Sequence, residues 1–236
     1  MSVSAAPRVV LLDIEGTTAP VSFVHTVLFP YARTHLPRLI AERKNDPVVK
    51  DALAETERLA PGVPPLEQLE RWMDEDAKVA PLKALQGMAW AEGYKRGELV
   101  ARLYPDVVPA LEAWSRAGIE LAVYSSGSEP AQKLIYGHTE QGDVTPLFSR
   151  FFDLRVGGKK EAESYRAILR ETGWRDEDVL FLSDVTAELE AAAEAGLRVC
   201  QIVRPEDGTV AGKKFPTAAT LPEAAALFGL PGAERA

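Results

Sequence analysis

Hydrophobic residues fall along the chain in two textures. Val9, Val10, Leu11 and Leu12 form an unbroken apolar run, and similar runs return at residues 119–124, 179–182 and 197–203. Short apolar runs that stop abruptly at polar clusters read as strands of a parallel sheet covered on both faces. The first strand is placed at 8–13, and 151–156 reads as a further short strand. Between these runs the period lengthens to that of a helix, over 107–117 with Gly118 at C′, 130–136, 161–171, and 187–195 stopped by Gly196. Thr220-Leu221-Pro222-Glu223 has the form of a capping box that opens a C-terminal helix.

Residues 20–104 carry the second texture. No strand pattern occurs there. Phe23, Val27, Tyr31, Leu36 and Leu39 leave an apolar stripe that prolines interrupt. Leu66, Leu69, Trp72 and Met73 share one helical face, and Leu82, Leu85, Met88 and Ala89 share another. Pro61, Pro64 and Pro65 break what precedes them. The pattern predicts an all-helical insert of about 85 residues entered just past the first strand. Strand and helix then alternate, as in βαβ units. The fold class is therefore α/β, with a parallel-sheet core over 1–19 and 105–236 and a helical domain over 20–104.

In such sheets ligands bind beyond the carboxyl ends of the strands. The unusual polar clusters lie there. Asp13 and Glu15 follow the first run, Ser125 and Ser126 the second, Lys159 follows the short strand, and Asp184 follows the fourth. Asp13 and Glu15 are one residue apart, so both point to the same side as the strand runs out. Two carboxylates at a buried strand end repel each other and lose water, which is costly unless a cation or a proton lies between them.

Composition narrows the partners. Apolar residues make up 46% and charged residues 26%, and the formal net charge is −8. An ordinary globular protein with that charge lacks the basic face that nucleic acid or an anionic membrane calls for. A small phosphate ester needs only local positive charge or a metal. The single cysteine, Cys200, lies in an apolar run and reads as a buried thiol, with no disulfide framework possible. No signal-peptide core and no membrane span is evident, so a cytoplasmic monomer is expected.

Taken as a set, the clusters supply hard oxygen ligands for Mg²⁺, an Asp able to attack phosphorus, and a Lys and hydroxyls to meet charge on the transferring group. A second carboxyl two residues from the nucleophile can serve the leaving oxygen and the attacking water. The set is complete for metal-assisted phosphoryl transfer to water.

This order of motifs resembles the haloacid dehalogenase superfamily of phosphohydrolases. Most phosphatases there carry Asp-x-Asp in the first motif, where this chain has Glu15 as the second acid. The match is narrower still. Asp13-Ile14-Glu15-Gly16-Thr17-Thr18, Phe29-Pro30-Tyr31-Ala32-Arg33, Leu85-Gln86-Gly87 with Trp90, and Gly93-Tyr94 resemble the enolase-phosphatases of methionine salvage. So do Tyr104-Pro105-Asp106, Tyr124-Ser125-Ser126-Gly127-Ser128, Gly158-Lys159, and Phe181-Leu182-Ser183-Asp184 with Glu188-Leu189. The resemblance runs from about residue 9 to residue 204, through core and insert alike. Leu154, where that family has Thr, and Glu190, where Asp is common, depart from it at positions without an assigned role.

The resemblance implies a Rossmann-like core of the haloacid dehalogenase fold with the helical insert as a cap that closes over the site. It implies enolisation and then dephosphorylation of 2,3-diketo-5-methylthiopentyl-1-phosphate to the acireductone 1,2-dihydroxy-3-keto-5-methylthiopentene. One Mg²⁺ per subunit is implied. Asp13 is then nucleophile and metal ligand, Glu15 the acid/base and a metal ligand through its backbone carbonyl, and Asp184 the third ligand. Ser125 and Ser126 hold the phosphate, and Lys159 offsets its charge.

Blander readings stand beside these. Ser183-Asp184 before a helix could be a simple cap. Glu188, four residues on, could orient Lys159 or a metal-bound water, or be a solvated acid. Lys160 is expected to face solvent, and His25, His35 and His138 share no metal spacing. Another small phosphate ester is the alternative substrate. A non-catalytic phosphate binder or a dinucleotide module is the alternative class, although no Gly-x-Gly-x-x-Gly follows the first strand.

Overall fold

The computed structural model describes residues 5–232. The chain divides into two compact units, one holding the chain up to Val21 and again from Ala101, the other Ser22–Val100. These junctions fall two residues inside one end of the expected insert and four residues inside the other. The return segment already belongs to the α/β unit, because Ala101 N–H donates to His138 O at 2.7 Å and Tyr104 N–H to Thr18 O at 3.1 Å.

Strand β1, Val9–Leu12, is buried along its whole length. After it a single turn, α1 (Val21–Phe23), runs into a π-helical stretch, Val24–Leu28, and then α2 (Phe29–Glu42). Helical structure therefore runs through the prolines that were expected to interrupt it, although Val27 of the expected stripe is exposed. Pro30 sits in the first turn of α2, where its missing N–H is no loss, and Pro37 is tolerated in the interior. Buried Ala32, Leu36 and Leu39 hold the inner face of α2 in place. Helices α3 (Pro47–Leu59), α4 (Pro65–Asp74) and α5 (Ala80–Lys95) complete this unit. Its core joins those three residues to Val49, Leu69, Met73, Leu82, Leu85 and Ala89. No strand occurs among residues 22–100.

The α/β unit continues with α6 (Val107–Arg116), β2 (Glu120–Tyr124), α7 (Glu129–Gly137), β3 (Arg150–Phe152), α8 (Ala162–Thr172), β4 (Val179–Ser183), α9 (Thr186–Glu194) and β5 (Arg198–Ile202). A two-residue strand, β6 (Thr217–Ala218), and α10 (Leu221–Phe228) end it. All pairings are parallel, in the order β3-β2-β1-β4-β5-β6. Two expectations need correction. The strand expected over 151–156 ends at Phe152, and Leu154–Val156 is a 3₁₀ turn whose cap is the Asp153 side chain. The capping box is only half closed as written: Thr220 accepts from Glu223 N–H, but Glu223 Oε2 accepts from Ala219 N–H, one residue before the cap.

Successive strand residues face opposite sides, so both faces must be covered to bury a continuous apolar run. One core layer contains Val10, Leu12, Leu121, Val123, Leu180 and Leu182 with α6 and α10 residues such as Trp114 and Ala225. The other contains Val9, Leu11, Ala122, Tyr124 and Phe181 with Tyr165 and Ile168 of α8 and Leu189 and Ala192 of α9. This parity positions the site. Leu12 pairs with Leu182, and Asp13 N–H extends the ladder by donating to Leu182 O at 3.0 Å. Asp13 and Ser183 therefore come level on the α8/α9 side of the rim.

Candidate active site

Asp13 is the hub. It is 4% exposed, and its Oδ1 accepts from its neighbour's backbone, Ile14 N–H, at 2.7 Å. Lys159 Nζ lies 2.5 Å from the same oxygen. Among the described residues Oδ2 meets only the Ser183 hydroxyl, at 3.3 Å, which makes it the oxygen with lone pairs to offer a ligand.

Lys159, just ahead of α8, is 7% exposed and has a second anionic partner, Glu188 Oε2, at 2.7 Å. Burial pulls the Lys159 pKa down, but the charges of Asp13 and Glu188 outweigh it and hold the ammonium above its ordinary value. Burial, then the Asp13 charge, pushes the Glu188 carboxyl up, against the pull of Lys159. Ser183 Oγ donates to Glu188 Oε2 at 2.9 Å and accepts from Val185 N–H. Of the readings left open for Glu188, the solvated acid is excluded: it is buried and pairs with Lys159. Lys160 is exposed, as expected.

Asp184 does not cap α9. The N-cap position is Val185, without a side-chain cap bond. The Asp184 carboxylate packs against Gly16, where φ is +72° and a Cβ would fall 2.5 Å from Oδ2. Its Oδ1 is buried and meets no hydrogen-bond partner among the described residues. Burial, reinforced by the charges of Asp13 and Glu188, pushes its carboxyl up to about 7. A buried carboxylate oxygen without a donor, beside like charges, is the condition that a bound cation relieves.

Ser125 follows β2, is buried, and accepts from Gly127 N–H at 3.1 Å, which leaves its hydroxyl proton to donate. Asp13, Glu15, Ser125, Ser126, Lys159 and Asp184 all line one cavity of about 150 Å³, together with Val21, Val185 and Glu188. That is roughly the volume of five waters, room for a phosphoryl group and a cation. Four acids face one Lys on these walls, so an anionic ligand needs a cation beside it. Among the described residues no three His, Cys, Asp or Glu side chains cluster closely enough to hold a metal by themselves. The carboxylates of Asp13 and Asp184 are hard oxygen donors on this cavity, a chemistry that fits Mg²⁺. The three histidines lie outside this cavity.

Sequence reasoning passed over several residues that build the site. Thr17 Oγ1 accepts from Asp184 N–H at 3.0 Å, and Gln201 Nε2 donates to Asp184 O at 3.0 Å. Arg204, 2% exposed, donates to Thr17 O at 3.0 Å and pairs twice with Asp106. Ser183 could have been found by strand parity, since it continues the face of Phe181. Thr17 lies in the first motif and Arg204 directly after the run 197–203, but their contact joins segments 187 residues apart, and no local pattern reveals it.

A family model for haloacid dehalogenase-like hydrolases matches residues 7–196. A protein of Gluconacetobacter diazotrophicus named enolase-phosphatase E1 is 67% identical over 222 residues, 94% of either chain. One of Acidiphilium cryptum with the same name is 58% identical over 225 residues, covering 95% of this chain and 97% of that one. Among solved structures, the UTR4 protein of Saccharomyces cerevisiae superposes with a TM-score of 0.76 at 33% identity, over 91% of this chain and 98% of the other. This chain belongs to the enolase-phosphatase E1 family of haloacid dehalogenase-like hydrolases.

Proposed function

We propose that the protein is a bifunctional enolase-phosphatase, which enolises 2,3-diketo-5-methylthiopentyl-1-phosphate and then removes its phosphate to give the acireductone of methionine salvage. Membership of a family whose relatives bear that name supports the activity. The observation that carries it to this chain is the single cavity lined by Asp13, Glu15, Ser125, Ser126, Lys159 and Asp184.

In this reading Asp13 attacks phosphorus, the bond to the substrate oxygen breaks, and an aspartyl-phosphate forms. Glu15 gives a proton to the departing oxygen and later takes one from the water that attacks the phosphorus of the aspartyl-phosphate. That second step frees Asp13 and inorganic phosphate. Ser125 and Ser126 donate to the phosphoryl oxygens, and Lys159 meets their charge while fixing Asp13. We assign one Mg²⁺ to Asp13, Asp184 and the Glu15 carbonyl, where it would neutralise phosphoryl charge. Choice of the organic part of the substrate is assigned to the helical segment 20–104. Among the described residues no helix is long and apolar enough to cross a membrane. We further propose a cytoplasmic monomer; a net charge of −8 offers nucleic acid or an anionic membrane little to bind.

The test is ultraviolet detection of the enol and then of acireductone from the diketone phosphate with Mg²⁺, alongside a phosphate-release assay. Wild-type protein should give both signals. Asp13→Asn should lose phosphate release and keep enolisation. Absence of phosphate release from the diketone and from other small phosphate esters would overturn the enzyme reading.

A further inference from the structure

The Asp184 peptide is gripped at both ends by side chains that none of the proposed chemical roles requires. Its N–H donates to Thr17 Oγ1 at 3.0 Å, and its C=O accepts from Gln201 Nε2 at 3.0 Å. Neither gripping residue is free to turn. Gln201 sits on β5, is 3% exposed, and is tied at its other atoms: Nε2 also donates to Val210 O at 3.1 Å, and Oε1 accepts from Gly212 N–H at 2.7 Å. Thr17 is fully buried, and its carbonyl accepts from Arg204 at 3.0 Å (Nη2) and 3.3 Å (Nε). The Arg204 guanidinium is fixed in turn by Asp106, at 2.9 and 3.0 Å, by Ala219 O at 2.9 Å, and by the face of Tyr104, whose ring centre lies 4.0 Å away.

We propose that Thr17 and Gln201 are positioning residues for Asp184 as a metal ligand, and that Arg204 holds Thr17 for that purpose. The inference rests on the reading of Asp184 as a Mg²⁺ ligand. Mg²⁺ demands near-ideal octahedral geometry at short distances, so a ligand must be held in place before the ion arrives. The carboxylate supplies little of that hold, because among the described residues its buried Oδ1 has no hydrogen-bond partner. Aiming the side chain therefore falls to the backbone, and the backbone is fixed from the β1 loop on one side and from β5 on the other. Groups that orient a metal ligand typically matter ten- to a hundredfold in metal affinity.

The experiment is calorimetric titration of MgCl₂ into the substrate-free full chain, with thermal unfolding of the same metal-free samples. Thr17→Val keeps the shape of the side chain but removes the acceptor, and should weaken Mg²⁺ binding about tenfold or more. Thr17→Ser restores the acceptor and should bind within about twofold of wild type. In turnover, Thr17→Val should need more Mg²⁺ for half-maximal rate while its rate at saturating Mg²⁺ approaches wild type. A role in stability alone would lower the unfolding temperature and leave the Mg²⁺ dissociation constant unchanged, and that result overturns the proposal. Equal loss in Thr17→Ser and Thr17→Val overturns it as well. If Thr17→Val does not fold, Gln201→Met decides the matter by the same titration: weakened binding supports the proposal and unchanged binding overturns it. Wild-type protein that binds no Mg²⁺ would remove the metal reading and this inference together, whereas wild-type binding with unaffected variants would remove only the inference.

Discussion

The Lys159 ammonium lies 2.7 Å from Glu188 Oε2, and both residues are only 7% exposed. With Asp13 on its other side, Lys159 is held between two carboxylates, whose charges outweigh the downward pull of burial on its pKa. In the proposed mechanism Glu188 would thereby act on phosphorus indirectly, through the place and charge of Lys159. Glu188→Gln keeps the size and one acceptor but removes the charge. It should lower the rate of phosphate release by on the order of ten- to a hundredfold, with far less change in substrate KM. Glu188→Ala should also cost about 3 kcal/mol in stability, read by denaturant unfolding, because it strips a buried cation of one partner. A Glu188→Gln enzyme with wild-type turnover would remove this role.

Gly16 makes a second point of close approach. Its φ of +72° is in the left-handed region, and any Cβ there would press on the Asp184 carboxylate. Gly16→Ala should cost about 1–2 kcal/mol from backbone strain alone. The larger effect should be on the site, since Asp184 must move or the loop carrying Asp13 must. Phosphate release should fall to near background even where circular dichroism reports a folded protein. Retained Mg²⁺-dependent turnover in Gly16→Ala would contradict the packing described for this loop.

The rim of strand ends could be read from the chain because two local rules coincide. Four short apolar runs, 9–12, 119–124, 179–182 and 197–203, reveal strands buried on both faces, and in a parallel sheet the polar residue after each run must reach the same edge. Asp13, Ser125 and Asp184 were found in this way, and Lys159 lies along the same rim. What stayed hidden depends on contacts across the fold. Glu188 is four residues after Asp184 whether it faces solvent or Lys159, and only the packing of α8 beside α9 decides. Arg204 and Asp106 are 98 residues apart, and Thr17 and Arg204 are 187 apart. Strand β6 has two residues and no apolar run to betray it. The run past Phe152 looked like strand because Leu154 and Val156 alternate with polar residues, yet Asp153 caps a 3₁₀ turn there.

Glu15 separates this chain from phosphatases that carry Asp two residues after the nucleophile. In the proposed function, one extra methylene would let its carboxyl reach a carbon-bound proton of the substrate as well as the leaving oxygen. Glu15→Asp should therefore slow enol formation by roughly the ten- to thousandfold range of general acid–base effects, while some phosphate release from a simple ester survives. Stopped-flow absorbance separates the two steps. Unchanged enolisation in Glu15→Asp would take Glu15 out of the first half-reaction.

The Asp184 carboxyl supplies a test in which pH and metal pull against each other. Burial first, and then the charges of Asp13 and Glu188, raise it from 3.8 to about 7 in the metal-free protein. A raised carboxyl means that the folded state holds a proton that the unfolded chain has already released. Its contribution to stability is full below pH 3.8 and is lost as pH rises towards 7. Mg²⁺ must displace that same proton, so its affinity should weaken by about tenfold for each pH unit below 7 and level off above it. The rise in unfolding temperature on adding a fixed, near-saturating concentration of Mg²⁺ follows the ratio of free ion to dissociation constant. That rise should be small at about pH 5.5 and approach its full value at about pH 8. Asp184→Asn cannot be ionised, so it should show little Mg²⁺ stabilisation at either pH and a metal-free stability that no longer declines across this window on Asp184's account. A wild-type Mg²⁺ shift that is equally large at both pH values would mean that Asp184 is already ionised in the metal-free site, and that the like charges of Asp13 and Glu188 are neutralised there by some other group.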